Sequence, residues 1–472
     1  MNTLASVTPA PPVPLNPFTG RPFPPDIASL PIYYEDSKGF RLDDGSGRYV
    51  SLSETAVRRY LIDRGFNKRA NPLEPQSEVD NALHQIQLTK VVDYVGPLAG
   101  RKPGMYEVGG KTILVTGAPK IIQPDATVQW PFLKRIFEEL LATDDPSQLT
   151  HFYCWLHVAY TALRAGIDTP HGPDAPGQAL AIAGAAASGK TLLQHIIKEI
   201  LGGRSANPYP FMSGRTGFNA DLLGAEVLMF GDEQTSTHMN ARRASGDKLK
   251  GLVAESEYRC EGKFANALIL RPFWRVTMSL NDEPENVCVL PPLDESIADK
   301  LMLLRARPVT LFNTSAWSTD RTTNMNAIRA ELPGFLAFID KFQIPDELRD
   351  HRFGVKAYHH IDLVRALGSL SSEQRLLELI DSSSLFSTEA EGKPLKVAPV
   401  VGRSAAIERR LINDCSVGRQ AARLLVWDNA MGTYLARLAK SDPHRVSSRM
   451  LDGYLIFTIN SPHAATTAGQ SK

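Results

Sequence analysis

The residues best suited to chemistry stand in one short run, Gly184-Ala-Ala-Ala-Ser-Gly-Lys-Thr191. Gly184 and Gly189 bracket a loop of small residues, and a lysine and a hydroxyl follow at once. Such a loop suits phosphate. The backbone N–H groups of Ala185, Ala186, Ala187, Ser188 and Gly189 can close on phosphate oxygens where bulkier side chains would block the approach. Lys190 can neutralise the terminal phosphates, and Thr191 can offer its hydroxyl to Mg²⁺. ATP and Mg²⁺ are the ligands this set implies. Downstream, Asp232 and Glu233 end the apolar run Ala225–Phe230. Asp232 would hold the metal through water, and Glu233 would orient or deprotonate the attacking water. Asn281 ends a further apolar run after Trp274 and can hydrogen-bond a phosphate or the water without competing for the metal.

The elements that must position these groups follow from pattern. Ala179–Ala183 is a short continuous apolar run, the signature of a buried strand, and Leu192–Leu201 has helical periodicity. The loop therefore joins a strand to a helix N-terminus, where partial positive charge favours an anion. A parallel strand beside the loop strand would bring Asp232 and Glu233 to the same sheet end, and the strand ending at Asn281 would add a third polar terminus there. Between these strands, a helix with Lys248 and Lys250 leads into a hairpin with Arg259 on one arm and Gly262-Lys263-Phe264 near its tip. A basic residue and an aromatic on a loop can grip a nucleic-acid backbone and stack on a base; a solvated charged hairpin reads the same way.

The order glycine loop with Lys-Thr, then Asp-Glu, then basic hairpin, then a strand ending in Asn resembles the superfamily-three helicases. These are AAA+-type ATPases of small DNA viruses, poxviruses, phages and mobile elements. Arg215-Thr-Gly-Phe-Asn219 is also similar to the phage and plasmid primase-helicases. The likeness covers residues 130–312. It implies a P-loop AAA+-like parallel-sheet core, a homo-hexameric ring moving on single-stranded or forked DNA, and Lys263 as the hairpin lysine touching DNA in the pore. It also implies a cation that reaches the neighbouring subunit's phosphate. The segment Asp294–Arg307 is expected to be the corresponding helix, with Lys300 at the matching position and Arg305, Arg307 or the pair Arg242-Arg243 as alternatives. Lysine is a point charge and lacks arginine's bidentate fork.

The flanks divide by composition. Residues 1–30 read as a disordered proline-rich arm, 31–125 as a small α+β accessory domain and 126–175 as a helical collar and linker. Residues 176–320 are the ATPase domain, 321–385 a helical extension, 400–460 a winged-helix-like domain and 461–472 a disordered tail. In the winged-helix reading, three helices precede a hairpin turning at Leu451-Asp-Gly453. Thr433, Tyr434, Arg437, Lys440, His444, Arg445 and Arg449 then face DNA. The stripe Phe152, Trp155, Leu156, Tyr160, Leu163 is expected to be core.

A formal net charge of +1 excludes a globally basic nucleic-acid binder, leaving local patches. The four cysteines are far apart, which argues against a disulfide framework or zinc ribbon and suits a cytoplasmic compartment. No apolar run is long enough to span a membrane. With no primase signature visible, a primase would be a separate chain. Two other functions fit the same residues: an ATP-dependent origin-binding initiator that does not unwind processively, and a P-loop ATPase indifferent to DNA.

Overall fold

The computed structural model describes residues 24–35, 39–70, 75–169, 176–231, 239–255, 257–262, 267–270, 273–282, 290–291, 293–369, 372–388 and 396–461. The described chain up to Tyr358 forms one compact unit, apart from short stretches around 236–242 and 281–293, and the chain from His359 forms a second.

The first unit opens with β1 (Ile32–Glu35), β2 (Gly39–Asp43) and β3 (Tyr49–Leu52), then α1 (Glu54–Asp63), α2 (Glu78–Thr89) and β4 (Val91–Val92). The helices start where the sequence provides caps: the Ser53 and Ser77 hydroxyls accept from the amides of Ala56 and Asp80. Val57, Leu61, Val79, Leu83 and Ile86 pack them onto Ile32 and Phe40 of the sheet β3-β2-β1-β4. A second small sheet, β5-β7-β6, follows from β5 (Tyr94–Gly96), β6 (Gly104–Val108) and β7 (Lys111–Val115). Its hairpin turns at Gly109-Gly110, both at positive φ, which glycine adopts without strain.

Two helices, α3 (Pro131–Leu141) and α4 (Pro146–Gly166), come next. Phe152, Trp155, Leu156, Tyr160 and Leu163 of α4 are all buried, so the expected core stripe is core. Trp155 also donates its indole N–H to the Gln178 carbonyl at 2.9 Å.

The central sheet is built from β8 (Ala179–Gly184), β9 (Ser205–Ala206), β10 (Val227–Phe230), β13 (Arg275–Leu280) and β14 (Leu301–Ala306). Between them lie α5 (Lys190–Ile200), α6 (Tyr209–Met212), α7 (Met239–Ala254) and the hairpin of β11 (Tyr258–Cys260) and β12 (Leu268–Leu270). All five strands are parallel, in the order β14-β8-β13-β10-β9. Every residue of β8 and β13 is buried; β8 reads as an unbroken apolar run, whereas β13 buries Arg275, Thr277 and Ser279 among its apolar residues. Helix α8 (Arg321–Lys341) packs against α3 and α4 through Phe335, whose ring lies 4.9 Å from that of Phe137.

Two expectations change here. The strand that leads to Asp232 is not the neighbour of the loop strand: β13 lies between β8 and β10. Sequence spacing allowed a crossover but could not say which strand would fill the adjacent slot. The segment Asp294–Arg307 is not a helix either. It makes a 3₁₀ turn at Ala298–Lys300 and then becomes β14, paired with β8 from Leu301↔Ala179 to Ala306↔Gly184. A short apolar run suits a buried strand and a buried helix equally, and the open edge of β8 decides for the strand.

A buried joint ties the β5–β7 module to the sheet. Glu226, fully buried just before β10, accepts from Arg204 Nε at 2.9 Å, from Arg204 Nη2 and from the Gly100 amide at 2.9 Å. Arg204 also donates to the carbonyls of Gly117 and Leu98.

The second unit contains α9 (Ile361–Ser369), α10 (Ser372–Asp381), β15 (Val400–Gly402), α11 (Ser404–Ile412), α12 (Gly418–Leu424), α13 (Ala430–Ser441), β16 (Val446–Leu451) and β17 (Tyr454–Ile459). The antiparallel sheet β15-β17-β16 includes the expected hairpin, which turns at Asp452-Gly453 with both φ positive. Leu376, Leu377 and Ile380 of α10 sit in the same core as Leu411, Leu435 and Phe457. Helix α10 therefore belongs with this unit rather than with a helical extension over 321–385. The tail, most of the arm and part of the linker before β8 lie outside the described residues.

Candidate functional site

The phosphate-loop residues meet the geometric demands that their types suggest. Ala185, Ala186 and Ala187 are exposed at the tip, Ser188 is buried, and Gly189 opens α5 with φ +110°. Ala187 is also left-handed, with φ +58°. Two left-handed residues curl so short a loop into the kind of concave backbone that suits an anion, the Ser188 amide closes on the Ala185 carbonyl at 3.3 Å, and no side chain caps the helix N-terminus. Gly184 is required for a different reason: a Cβ there would come within 2.3 Å of the Ala306 carbonyl on β14. At Gly189 a Cβ would press on Phe312 at 2.9 Å.

Lys190 is buried, and its ammonium donates to the carbonyls of Gly184 and Ala185, both at 2.7 Å. It is thus held across the mouth of the loop. The Ser188 hydroxyl is fully buried and has no hydrogen-bond partner among the described residues. A buried hydroxyl left without a partner costs stability, and a bound oxyanion would offset that cost. The left-handed loop, the uncapped helix N-terminus, the lysine and this hydroxyl fit the phosphates of a nucleotide. Thr191 is exposed on the first turn of α5, open to a metal.

Gln194 went unnoticed in the sequence. It lies one turn beyond Lys190 on the same face of α5, with 1% exposure. Its amide donates to the Phe230 carbonyl at 3.0 Å and to Thr277 Oγ1 at 3.1 Å. Phe230 is the last residue of β10, two residues before Asp232. One side chain thus links the lysine's helix to the two strands expected to present acid and amide. The signal that could have found it is the i, i+4 spacing of a polar residue on an otherwise apolar helix face.

Asp232 and Glu233 lie outside the described residues, as do Lys263 and Phe264 at the hairpin tip. Asn281 follows Leu280, whose partner across the sheet is Ala183, one residue before Gly184. The strand therefore ends level with the start of the loop.

The arms of the basic hairpin are as expected, with Tyr258↔Leu270 to Cys260↔Leu268 paired. Its first arm is clamped by Asn219 just short of the tip: the side chain accepts from the Glu261 amide at 2.7 Å and donates to the Arg259 carbonyl at 3.1 Å. Backbone amides of Asn219 and Ala220 both donate to the Glu261 carbonyl. The segment fixed in this way carries exposed Arg215 and Phe218 beside the hairpin. Lys248 has a structural task, bonding the Phe211 and Met212 carbonyls at the end of α6. Lys250 pairs with Asp247, and Arg259 with Glu261.

Of the expected trans cations, Lys300 bonds Asp299 at 2.7 Å at the entry end of β14. Arg305 and Arg307 lie at the opposite end, the level of the phosphate loop, and both reach Asp144. Nothing is described of the Arg242 and Arg243 side chains.

With the geometry in place, similarity to known proteins can be stated. Residues 182–295, which hold most of these features, match a family of unknown function, DUF5906. The chain shares its fold with the C-terminal region of NrS-1. The apo A form of that region superposes with a TM-score of 0.53 at 12% identity, covering 91% of this chain and 96% of that one. A second apo structure of the region gives 0.49 at 12% identity over 91% and 95%. A JCV helicase bound to a small molecule gives 0.26 at 15% identity over 49% and 60%. No curated protein matches the chain. Among the described residues no helix is long and apolar enough to cross a membrane.

In the second unit the expected DNA contacts separate. Tyr434 is core. Arg445 is drawn inward, donating to Asp381 at 2.6 Å and to the Asn460 carbonyl at 3.2 Å. The winged-helix reading places both at DNA; the core of this unit and the pairing with Asp381 of α10 claim them instead. Arg437 pairs with Glu373 at 2.5 Å while staying half exposed, and Lys440 and Arg449 are exposed.

Proposed function

We propose that the chain is a nucleotide-driven, helicase-like motor of a phage or mobile element. It would couple ATP hydrolysis in an oligomeric ring to movement along single-stranded DNA and separation of the duplex. The observation that carries this reading is the phosphate loop itself: left-handed Ala187 and Gly189, a buried Lys190 and an orphaned Ser188 hydroxyl at the C-terminal end of a parallel sheet. The five-strand order and the clamped basic hairpin support it.

In this reading Lys190 exchanges its two loop carbonyls for phosphate oxygens, and the Ser188 and backbone N–H donors complete the cradle. Thr191 and Asp232 would hold Mg²⁺, which supplies charge neutralisation on the β- and γ-phosphates. Glu233 would orient the attacking water, Asn281 would sense the terminal phosphate, and Lys263 with Phe264 would grip the strand. Arg215 and Phe218, exposed beside the hairpin, extend that grip by charge and stacking. Arg305 and Arg307 are better placed than Lys300 for a neighbour's phosphate only if the interface runs along the loop end of β14.

The test is the ATPase rate with and without single-stranded DNA, together with unwinding of a forked duplex. DNA-stimulated hydrolysis and strand separation, both abolished by Lys190→Ala, are expected. Hydrolysis indifferent to DNA, with no unwinding, would leave a P-loop ATPase and remove the motor. Undiminished hydrolysis by Lys190→Ala would overturn the site.

A further inference from the structure

The second unit carries a surface for which the motor has no use. A groove of about 640 Å³ opens between the start of α11, one face of α13 and strand β17. Arg403, Arg437 and Lys440 line it, with Tyr454, Leu455 and Ala436 supplying apolar wall, and none of its lining residues is a carboxylate. The Arg403 guanidinium lies over the Tyr454 ring. Residues 400–460 hold nine Lys or Arg against five Asp or Glu, so the local field is positive although the whole chain is near neutral.

The tip of the hairpin beside the groove has the opposite character, although exposed Ser447, Ser448 and Arg449 precede it on β16. Met450 is 66% exposed, Leu451 50%, Tyr454 51% and Leu455 42%. A wing meant to lie on a phosphate backbone gains from cations and hydroxyls there. Aliphatic side chains offer a phosphate nothing and do not stack on bases as aromatic rings do. An exposed apolar patch rimmed by polar groups marks a protein-docking site.

We propose that this groove docks an acidic peptide segment of a partner protein. Its carboxylates would pair with Arg403 and Lys440, and with Arg437 in competition with its present partner Glu373, and its apolar side chains would cover Leu455, Tyr454 and the hairpin tip. Charge complementarity selects the acidic partner, and the apolar wall selects a peptide over a bare anion or a nucleic acid. Because the cations sit at an open rim, association is salt-sensitive, with charge acting mainly on encounter and apolar burial on residence.

The experiment uses the full chain and a fluorescein-labelled twelve-residue peptide of Asp and Glu interrupted by Leu and Phe, read by anisotropy at low and at physiological salt. An all-acidic peptide of the same length, and single-stranded and duplex oligonucleotides, serve as competitors. Saturable binding is expected, weakened at least tenfold by Lys440→Glu and, separately, by Leu455→Ser. The all-acidic peptide should bind more weakly and be insensitive to Leu455→Ser. Unfolding midpoints equal to that of the wild type show that both variants remain folded; if one does not, Leu451→Ser at the exposed tip replaces it. Absent binding, or binding that neither variant alters, overturns the proposal. Displacement by an oligonucleotide whose own binding falls tenfold with both variants also overturns it and assigns the surface to nucleic acid.

Discussion

At the residue scale, the candidate site rests on how few atoms it can spare. Gly184 and Gly189 have no space for a side chain, and the alanines of the tip leave the backbone accessible. Gln194 carries the sharpest consequence. Gln194→Met keeps the volume and removes both donors, losing on the order of 1–2 kcal/mol of hydrogen bonding between α5 and the strand ends. If that link positions the acids, kcat should fall roughly tenfold while nucleotide KM moves little. Steady-state kinetics will show it. Thr277→Val, which removes only one of the two acceptors, should be milder. A rise in KM with kcat unchanged would mean that Gln194 merely supports the loop.

At the element scale, the hairpin is the part that the proposed motor would use to transmit force, and Asn219 is its anchor. Asn219→Ala deletes two hydrogen bonds from a residue 2% exposed, loosening the first arm of the hairpin by roughly 1–3 kcal/mol. Basal ATPase should persist, while stimulation by single-stranded DNA falls several-fold. Asn219→Asp, which keeps the acceptor for the Glu261 amide but loses the donor, should lie between. Equal loss of basal and stimulated rates would make Asn219 a residue of the general fold. The Arg204–Glu226 joint serves the same purpose at the sheet edge, holding a buried carboxylate that a lone partner's removal would leave uncompensated.

At the scale of the whole molecule, the second unit has a core of its own and an acid-sensitive point of its own. Asp414, in the second unit, accepts from the Ser384 amide and hydroxyl and from the Ser416 amide and hydroxyl. Those donors, the Ser416 hydroxyl first, hold its carboxyl well below the ordinary carboxylate range. A depressed carboxylate contributes stability that is present above its unfolded pKa of about 4 and lost as pH falls through the folded value. Hydrogen-exchange protection of α12 and α13 should therefore weaken below about pH 4. Asp414→Asn should cost roughly 1.5–3 kcal/mol near neutrality and lose that deficit relative to wild type in acid. A constant deficit at every pH would remove the charge-based account.

The sequence by itself determined what local chemistry determines. Glycine spacing set the phosphate loop, Ser53 and Ser77 set helix starts, and paired glycines set the β6–β7 turn. The C-terminal hairpin turn followed from Asp452-Gly453. Each depends on residues within a turn of one another. Only the tertiary structure decided the rest. Which strand stands beside β8 is settled by packing between segments distant in the chain, and β13 rather than β10 holds the place. Whether Leu301–Ala306 is strand or helix depended on the open edge that β8 offered. That Gln194 spans to Phe230 and Thr277, that Asn219 anchors a hairpin 40 residues away, and that Arg445 turns inward to Asp381 are all long-range pairings. Pattern along a chain reports which faces are apolar, but the partner of a buried polar group is chosen by packing, because burial without a partner is too costly to leave to chance.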